Sequence, residues 1–146
     1  MSTKFDKAVG FVFEVEGYES NYMWDKGGYT KYGISQKAHP DVDVFNLTKE
    51  AAKDIYKVRY WDACGCENLP AALGLAVFDT AVNHGQAKAL KWLEYSNGDY
   101  TDLLLLRLEH YAAICNANKT QKQFLLGWVN RLVKLRKAAD ALAGEP

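Results

Sequence analysis

Residues 16–35 read EGYESNYMWDKGGYTKYGIS, and this stretch begins where a helical pattern stops. The preceding segment, residues 3–15, carries apolar residues at helical spacing and opens with a Thr-x-x-Asp pair that is typical of a helix N-terminus. Glu16 is the next position of the apolar stripe, and Gly17 is the residue type that most readily ends a helix. The sequence therefore predicts a carboxyl group in the last turn of an amphipathic helix, where the pattern calls for an apolar side chain.

Several features of this position favour the neutral, protonated form of Glu16. The partial negative charge at a helix C-terminus opposes a carboxylate, and Glu14 and Glu19 add charge of the same sign. Partial burial on the apolar stripe acts in the same direction. A general acid must carry its proton near neutral pH, so Glu16 is a candidate proton donor.

The residues that follow predict a small antiparallel hairpin. Residues 22–24 and 29–32 are rich in aromatic side chains, which favour strands. Gly27 and Gly28 lie between them, and glycine permits the positive φ angles of a tight turn. We expect this pair of glycines to form the turn.

Asp25 lies at the mouth of that turn, nine residues after Glu16. A hairpin that follows a helix end can bring these two carboxylates to opposite sides of one cleft. Cleavage of a glycosidic bond uses two carboxylates in unlike surroundings, and Thr30 on the far strand adds a hydroxyl suited to holding a water. The alternative is that Asp25 makes a turn hydrogen bond and Glu16 is a frayed helix end.

Composition restricts the class of protein. The chain has 146 residues, of which 49% are hydrophobic and 25% charged, values typical of one globular domain. The 18 basic and 18 acidic side chains cancel, so no broad electric field favours nucleic acid or a membrane surface. The longest aliphatic block, residues 103–106, is far shorter than a membrane span. We expect no membrane insertion, and no signal peptide, because acidic residues flank the short apolar run at the N-terminus.

Helical patterns fill most of the remaining chain. The predicted helices cover residues 49–61, 70–84, 86–95, 100–118 and 121–143. The second of these is apolar nearly all round, which predicts a buried central helix. Asp79 and Asn83 lie four apart on one of its faces. They either bond to neighbouring backbone and hold the hairpin on this helix, or contact a substrate. The predicted class is α+β and mostly α-helical, in a single domain.

The cysteines offer two further hypotheses. Three residues, Cys64, Cys66 and Cys115, are an odd number and predict reduced thiols rather than a disulfide framework. Together with His84 they are potential zinc ligands, although C-x-C without a partner pair is a weak pattern. A nucleophile pair such as Cys66 with His84 would be the chemistry of a wall amidase or peptidase.

Three blocks of sequence occur in order along nearly the whole chain. The first consists of Glu16-Gly17, Asp25, Gly27-Gly28, Thr30 and the YGIS of residues 32–35. The second consists of YWD at 60–62, LP at 69–70, VFD at 77–79 and VNHG at 82–85, and the third is FLLGWVNRL at 124–132. Together they resemble glycoside hydrolase family 108, a family of phage and bacterial N-acetylmuramidases, and the third block resembles the peptidoglycan-binding helical region that usually follows.

The resemblance implies a lysozyme-like fold and cleavage of the β-1,4 bond between N-acetylmuramic acid and N-acetylglucosamine, without metal or cofactor. Glu16 would match the catalytic glutamate, with Asp25 and Thr30 as the second carboxylate and the threonine of phage-type lysozymes. The substrate-binding candidates are Tyr32, Asp79, Asn83 and Trp128. Residues 1–90 would form the catalytic part and residues 91–146 a peptidoglycan-binding part packed on the same core.

The implied partner is the glycan strand of bacterial peptidoglycan, bound by a monomer. A phage or prophage endolysin would be made in the host cytoplasm without a signal peptide and would act on the wall in the periplasm. The alternative from another class is a non-catalytic wall-binding or virion structural module. Retention of Glu16, Asp25 and Thr30 together favours the enzyme.

Overall fold

The computed structural model of the protein describes residues 2–17, 24–25 and 28–146. Within these residues the chain forms six α-helices and a small antiparallel sheet near the N-terminus, which confirms the predicted, mostly helical α+β class. The helices are α1 (Lys4–Glu16), α2 (Lys49–Tyr56), α3 (Ala71–His84), α4 (Gln86–Tyr95), α5 (Tyr100–Ala117) and α6 (Leu125–Leu142). The strands are β1 (Trp24–Asp25), β2 (Gly28–Lys31) and β3 (Ile34–Ser35).

Helix α1 begins and ends as its sequence predicts. The Thr3 hydroxyl accepts a hydrogen bond from the Asp6 backbone N–H at 3.0 Å, and the Asp6 carboxylate accepts one from the Thr3 N–H at 2.9 Å. At the other end Gly17 adopts a φ of 103° and donates its N–H to the Phe13 carbonyl. Glu16 is therefore the last residue of the helix, with its side chain at the edge of the core.

Helix α3 is the predicted central helix. Every residue from 71 to 81 is buried, and α1, α4, α5 and α6 all pack against it. Aromatic contacts join it to its neighbours: Phe78 packs against Phe5 of α1 and against Trp61 of the π-helical segment Lys57–Asp62 that continues α2. Because α5 and α6 share this core with α1, the C-terminal helices contribute directly to the fold around Glu16.

The sheet has one more strand than the sequence predicts. Strand β1 pairs with β2, with Asp25 opposite Gly28, so Gly28 is the first residue of a strand and not part of the turn. The expected strand residues 22 and 23 and the turn residues 26 and 27 lie outside the described part of the chain. A second hairpin joins β2 to β3, with Thr30 opposite Ser35. The turn of this second hairpin, at residues 32 and 33, is not predicted by the sequence pattern.

The last helix begins later than predicted. Residues Lys119–Phe124 form a 3-10 helix, and α6 begins at Leu125. The Asn118 side chain accepts a hydrogen bond from the Thr120 N–H at 3.1 Å and so caps the 3-10 helix that precedes α6. Of the described helices, none is both long enough and apolar enough to span a membrane.

Candidate active site

A cleft of about 500 Å³ opens between the C-terminal end of α1 and the first half of α6. Glu16 lines it from α1, Asn83 from the end of α3, and Trp128 from α6. The structure thus brings three of the predicted site residues, which are far apart in sequence, to one concave surface. A separate groove between α5 and α6 is lined by leucine and valine side chains, with Arg136 and Lys137 at its edge and no carboxylate.

The Glu16 carboxylate is held by an arginine that the sequence analysis did not identify. Arg131 of α6 donates from one terminal nitrogen to Glu16 Oε1 at 2.5 Å and from the other to Asp79 Oδ1 at 2.8 Å. Glu16 keeps 28% of its side chain exposed, whereas Arg131 keeps 14%. Glu16 therefore has a cation in direct contact, in addition to the negative charges that the sequence predicts around it.

Asp79 lies behind the cleft and not in it. Its side chain is 0% exposed and accepts hydrogen bonds from Arg107 at 2.8 Å and from Arg131. Burial raises the pKa of Asp79, but the charges and hydrogen bonds of Arg131 and Arg107 outweigh it and hold the pKa below its usual value. Asp79 thus bonds to guanidinium groups and not to the backbone, and it has no surface with which to touch a ligand. Its role here is to fix Arg131, which in turn fixes Glu16.

Trp128 packs against a buried tyrosine, Tyr111. Its ring stacks on Tyr111 with centroids 5.0 Å apart and an angle of 23° between the planes. The buried Tyr111 hydroxyl accepts hydrogen bonds from Asn83 and from Arg107, both at 3.1 Å. The Tyr111 hydroxyl also lies 3.1 Å from His84 Nε2. The pKa of His84 is lowered to about 3, mainly because the ring is buried and also because of the charge of Arg107 and of neighbouring residues. His84 is therefore neutral and can accept a hydrogen bond from the Tyr111 hydroxyl. These hydrogen bonds hold the tyrosine ring on which Trp128 stacks.

The second hairpin touches Glu16 through its turn. Tyr32 and Gly33 both have positive φ, 53° and 80°, the conformation of a two-residue hairpin turn. The Tyr32 carbonyl accepts a hydrogen bond from the Tyr56 hydroxyl at 2.8 Å, and the Tyr32 ring packs against Phe13 of α1. Gly33 lies so close to Glu16 that a Cβ there would be 2.9 Å from the Glu16 Cβ. This contact fixes the hairpin against the end of α1.

Replacing Gly33 with alanine is expected to impair the site and to destabilise the protein. The added Cβ would meet the Tyr56 hydroxyl at 2.5 Å and the Glu16 side chain, in a backbone conformation that L-residues rarely adopt. We expect a loss of about 1–3 kcal/mol of unfolding free energy and a fall of about 10- to 100-fold in the rate of a reaction catalysed at this site. Gly10→Ala in α1 is the control, because no atom lies within 4 Å of its Cβ position. Equal rates for both alanine variants would contradict this role of Gly33.

The remaining predicted catalytic residues lie on the sheet. Thr30 is half-buried in the middle of β2, two residues before the turn that touches Glu16. The backbone of Asp25 pairs with Gly28, which places it at the end of β1, and its side chain lies outside the described part of the chain. The catalytic roles of Glu16, Asp25 and Thr30 stay predictions.

The cysteines lie apart from this cleft. Cys64, Cys66 and Cys115 are all buried free thiols, and burial raises the pKa of both Cys64 and Cys66. A raised pKa suppresses the thiolate that a nucleophile requires. No group of three or more histidine, cysteine or acidic side chains in the described residues is arranged to hold a metal ion.

Comparison with known proteins adds a family and a structural relative. Residues 9–85, more than half of the chain, match the family described as Glycosyl hydrolase 108. The structure of Brucella abortus SagA is similar over 97% of this chain and 96% of its own, with a TM-score of 0.79 and 28% sequence identity. No curated protein matches the chain. The matched family region contains Glu16, Asp25, Thr30 and Asp79, whereas Arg131 and Trp128 lie beyond it.

Proposed function

We propose, because this chain belongs to the glycosyl hydrolase 108 family, that it is an N-acetylmuramidase of bacterial peptidoglycan. The bond cleaved would be the β-1,4 bond between N-acetylmuramic acid and N-acetylglucosamine. The observation that carries the proposal is the placement of Glu16, which ends α1 inside a cleft and is fixed there by Arg131. A strand bound in this cleft would lie against a carboxyl group of fixed orientation, as acid catalysis of glycoside cleavage requires.

Glu16 would act as the general acid. Its Oε1 binds Arg131, and its other oxygen has no hydrogen-bond partner in the described part of the chain, so that oxygen is available to carry the proton. As the glycosidic bond breaks, its electron pair goes to the leaving oxygen, which takes the proton from Glu16. The carboxylate that remains is stabilised by Arg131, and Arg131 keeps its place because two of its nitrogens bond to Asp79.

Asp25 and Thr30 would act at the anomeric carbon, on the opposite side of the bond from the leaving oxygen. The departing sugar leaves positive charge on the anomeric carbon, and a second carboxylate stabilises this charge or attacks the carbon directly. The position of Asp25 at the end of β1, on the sheet whose second hairpin touches Glu16, supports it for this role. Thr30 would hold the water that completes hydrolysis.

The products of wall digestion test the proposal. Purified protein is incubated with isolated peptidoglycan, and the soluble fragments are analysed by mass spectrometry after reduction of their reducing ends. We expect muramic acid at the reduced end, with the same fragments formed in the presence of EDTA. Reduced N-acetylglucosamine ends, free peptides, or activity abolished by EDTA would each contradict muramidase chemistry.

The biological setting proposed is that of a phage or prophage endolysin. Such a protein is made in the host cytoplasm and reaches the wall in the periplasm, where it works as a monomer. The resemblance of the three sequence blocks to phage and bacterial muramidases supports this setting.

Replacing all three cysteines tests the competing amidase hypothesis. Because each thiol is buried and none lines the cleft, the triple alanine variant is expected to keep wall-hydrolysing activity within a few-fold of wild type. The stability loss is expected to be about 1 kcal/mol per site. Thermal unfolding identifies variants that remain folded, and turbidity clearance of a wall suspension measures activity. A variant that still unfolds cooperatively but no longer clears walls would restore the hypothesis of a cysteine nucleophile.

A further inference from the structure

One wall of the cleft is built by three successive turns of α6. Trp128, Arg131 and Lys134 are spaced three residues apart, and all three line the cleft. Each step corresponds to about 4.5 Å along the helix axis, so the row spans about 9 Å. Arg131, in the middle, contacts the proposed general acid, with an aromatic ring on one side of it and an ammonium group on the other.

Lys134 differs from the other two members of the row because it has no partner among the described residues. Trp128 stacks on Tyr111, and Arg131 bonds to Glu16 and Asp79. Lys134 is exposed and makes no hydrogen bond or ion pair with any residue in the described ranges. Glu14 lines the same cleft from α1, but the two side chains do not pair. The cleft therefore holds an ammonium group that makes no direct ion pair with any described residue.

The charges on the two walls of the cleft are opposite in sign. The α1 wall carries Glu14 and Glu16, whereas the α6 wall carries Arg131 and Lys134. Neutral sugar rings cannot form an ion pair with the Lys134 ammonium group, whereas a carboxylate on the ligand could. Peptidoglycan strands carry carboxylates on one sugar only, in the substituent of muramic acid.

We infer that Lys134 forms an anion-binding subsite that takes a carboxylate from the muramic acid substituent. This inference rests on the proposed function. When the stem peptide is attached, the carboxylates belong to the peptide, and when it has been removed, the carboxylate is that of the lactyl group. The strand then runs along α6, with a sugar against Trp128, the bond to be cut at Glu16, and the charged substituent against Lys134. The subsite therefore makes the protein prefer charged strands to neutral ones.

Binding, measured without turnover, tests this subsite. Three proteins are compared: Glu16→Gln, and the same variant with either Lys134→Ala or Lys137→Ala added. Lys137 is the matched control, because it lies one turn further along α6 and lines the separate groove between α5 and α6. Each protein is titrated with insoluble peptidoglycan, and the bound fraction is measured by sedimentation at low ionic strength. We expect Lys134→Ala to weaken binding about two- to fivefold, and Lys137→Ala to leave it unchanged.

Chemical treatment of the peptidoglycan identifies the anion. Amidation of its carboxylates with a carbodiimide and ammonia removes the charge and keeps the strand, so the effect of Lys134→Ala should vanish. On strands stripped of peptide by an amidase, which frees the lactyl carboxylate, an effect that persists shows that the subsite takes this carboxylate as well, and one that disappears shows that it takes only carboxylates of the stem peptide.

Two results would overturn the inference. One is equal binding of untreated peptidoglycan with and without Lys134, and the other is a Lys134→Ala loss of the same size on the amidated strand. Both results can be told apart from failure of the proposed function, because that failure is shown by a different measurement, the absence of fragments with muramic acid at the reducing end.

Discussion

Glu16→Gln is expected to lower the rate of wall hydrolysis by about 100- to 10,000-fold. Glutamine keeps the shape of the side chain and can still accept a hydrogen bond from Arg131, but it has no proton to donate to the leaving sugar. The rate of fragment release from purified peptidoglycan measures the effect. Binding to the same peptidoglycan should persist, because Trp128 and the α6 wall are unchanged.

The stability of this variant distinguishes a catalytic role from a structural one. Removing a carboxylate from a helix C-terminus favours the fold slightly, whereas losing the charge that faces Arg131 opposes it. Because Glu16 is partly exposed, these two effects should leave the unfolding free energy within about 1 kcal/mol of wild type. A large loss of activity without a large loss of stability is therefore the expected pattern.

Glu94→Gln provides the matched control. Glu94 is also a glutamate in the last turn of a helix, α4, but it is exposed and lies outside the cleft. If Glu16 were only a frayed helix end, both substitutions would have the same small effect. Wall clearance at a near wild-type rate by Glu16→Gln would remove the basis of the proposed function, and would favour a non-catalytic wall-binding protein.

Local sequence signals predicted most of the helices and the place of Glu16 at the end of α1. The cap at Thr3, the glycine at position 17 and the all-apolar segment that became α3 are each decided within a few residues of the chain, so reading them needs no knowledge of the fold. The same is true of Glu16, which interrupts an apolar stripe. Glu16 lies in the cleft because the apolar face of α1 packs against the core and Glu16 is at the end of that face.

The partners of Glu16 could not be found from local patterns. Arg131 is 115 residues away in sequence, and the interaction exists only because α6 packs beside α1. A signal was nevertheless present: Arg107 follows an aliphatic block, and Arg131 lies on the inner face of α6 next to Leu132. Charged residues on buried faces require counter-ions, so the rule that identified Glu16 also applies to these two arginines.

The second hairpin was missed for a different reason. A tyrosine at positive φ is unusual, because β-carbon sterics disfavour this region for residues other than glycine. The sequence Tyr-Gly is therefore not one that commonly predicts a two-residue hairpin turn, although residues 32 and 33 adopt its conformation. Contacts from Phe13 and Tyr56 stabilise the turn in the folded protein. Tertiary packing overrides local preference here, next to the proposed catalytic residue.

Asp79→Asn is expected to cause the largest loss of stability, about 3–5 kcal/mol of unfolding free energy near neutral pH. Asp79 is fully buried and is the counter-ion of the fully buried Arg107, as well as the anchor of Arg131. Asparagine has nearly the same shape but no charge, so it leaves the buried guanidinium of Arg107 uncompensated. Asp102→Asn on the exposed face of α5 is the control and should change stability by less than about 0.5 kcal/mol. Denaturant unfolding of both variants measures the difference.

The pH dependence of that loss identifies its cause. The pKa of Asp79 is lower in the folded protein than the value of 3.8 for an unperturbed group, so its ionised form stabilises the fold above that pH. This contribution disappears as the pH falls through the folded value, because the folded carboxylate then takes up a proton as well. The difference in unfolding free energy between wild type and Asp79→Asn should therefore be full at pH 6–7 and shrink below about pH 4. A difference that stays constant down to pH 2–3 would mean that packing, not charge, makes Asp79 important, and Arg131 would then need another explanation for its fixed position beside Glu16.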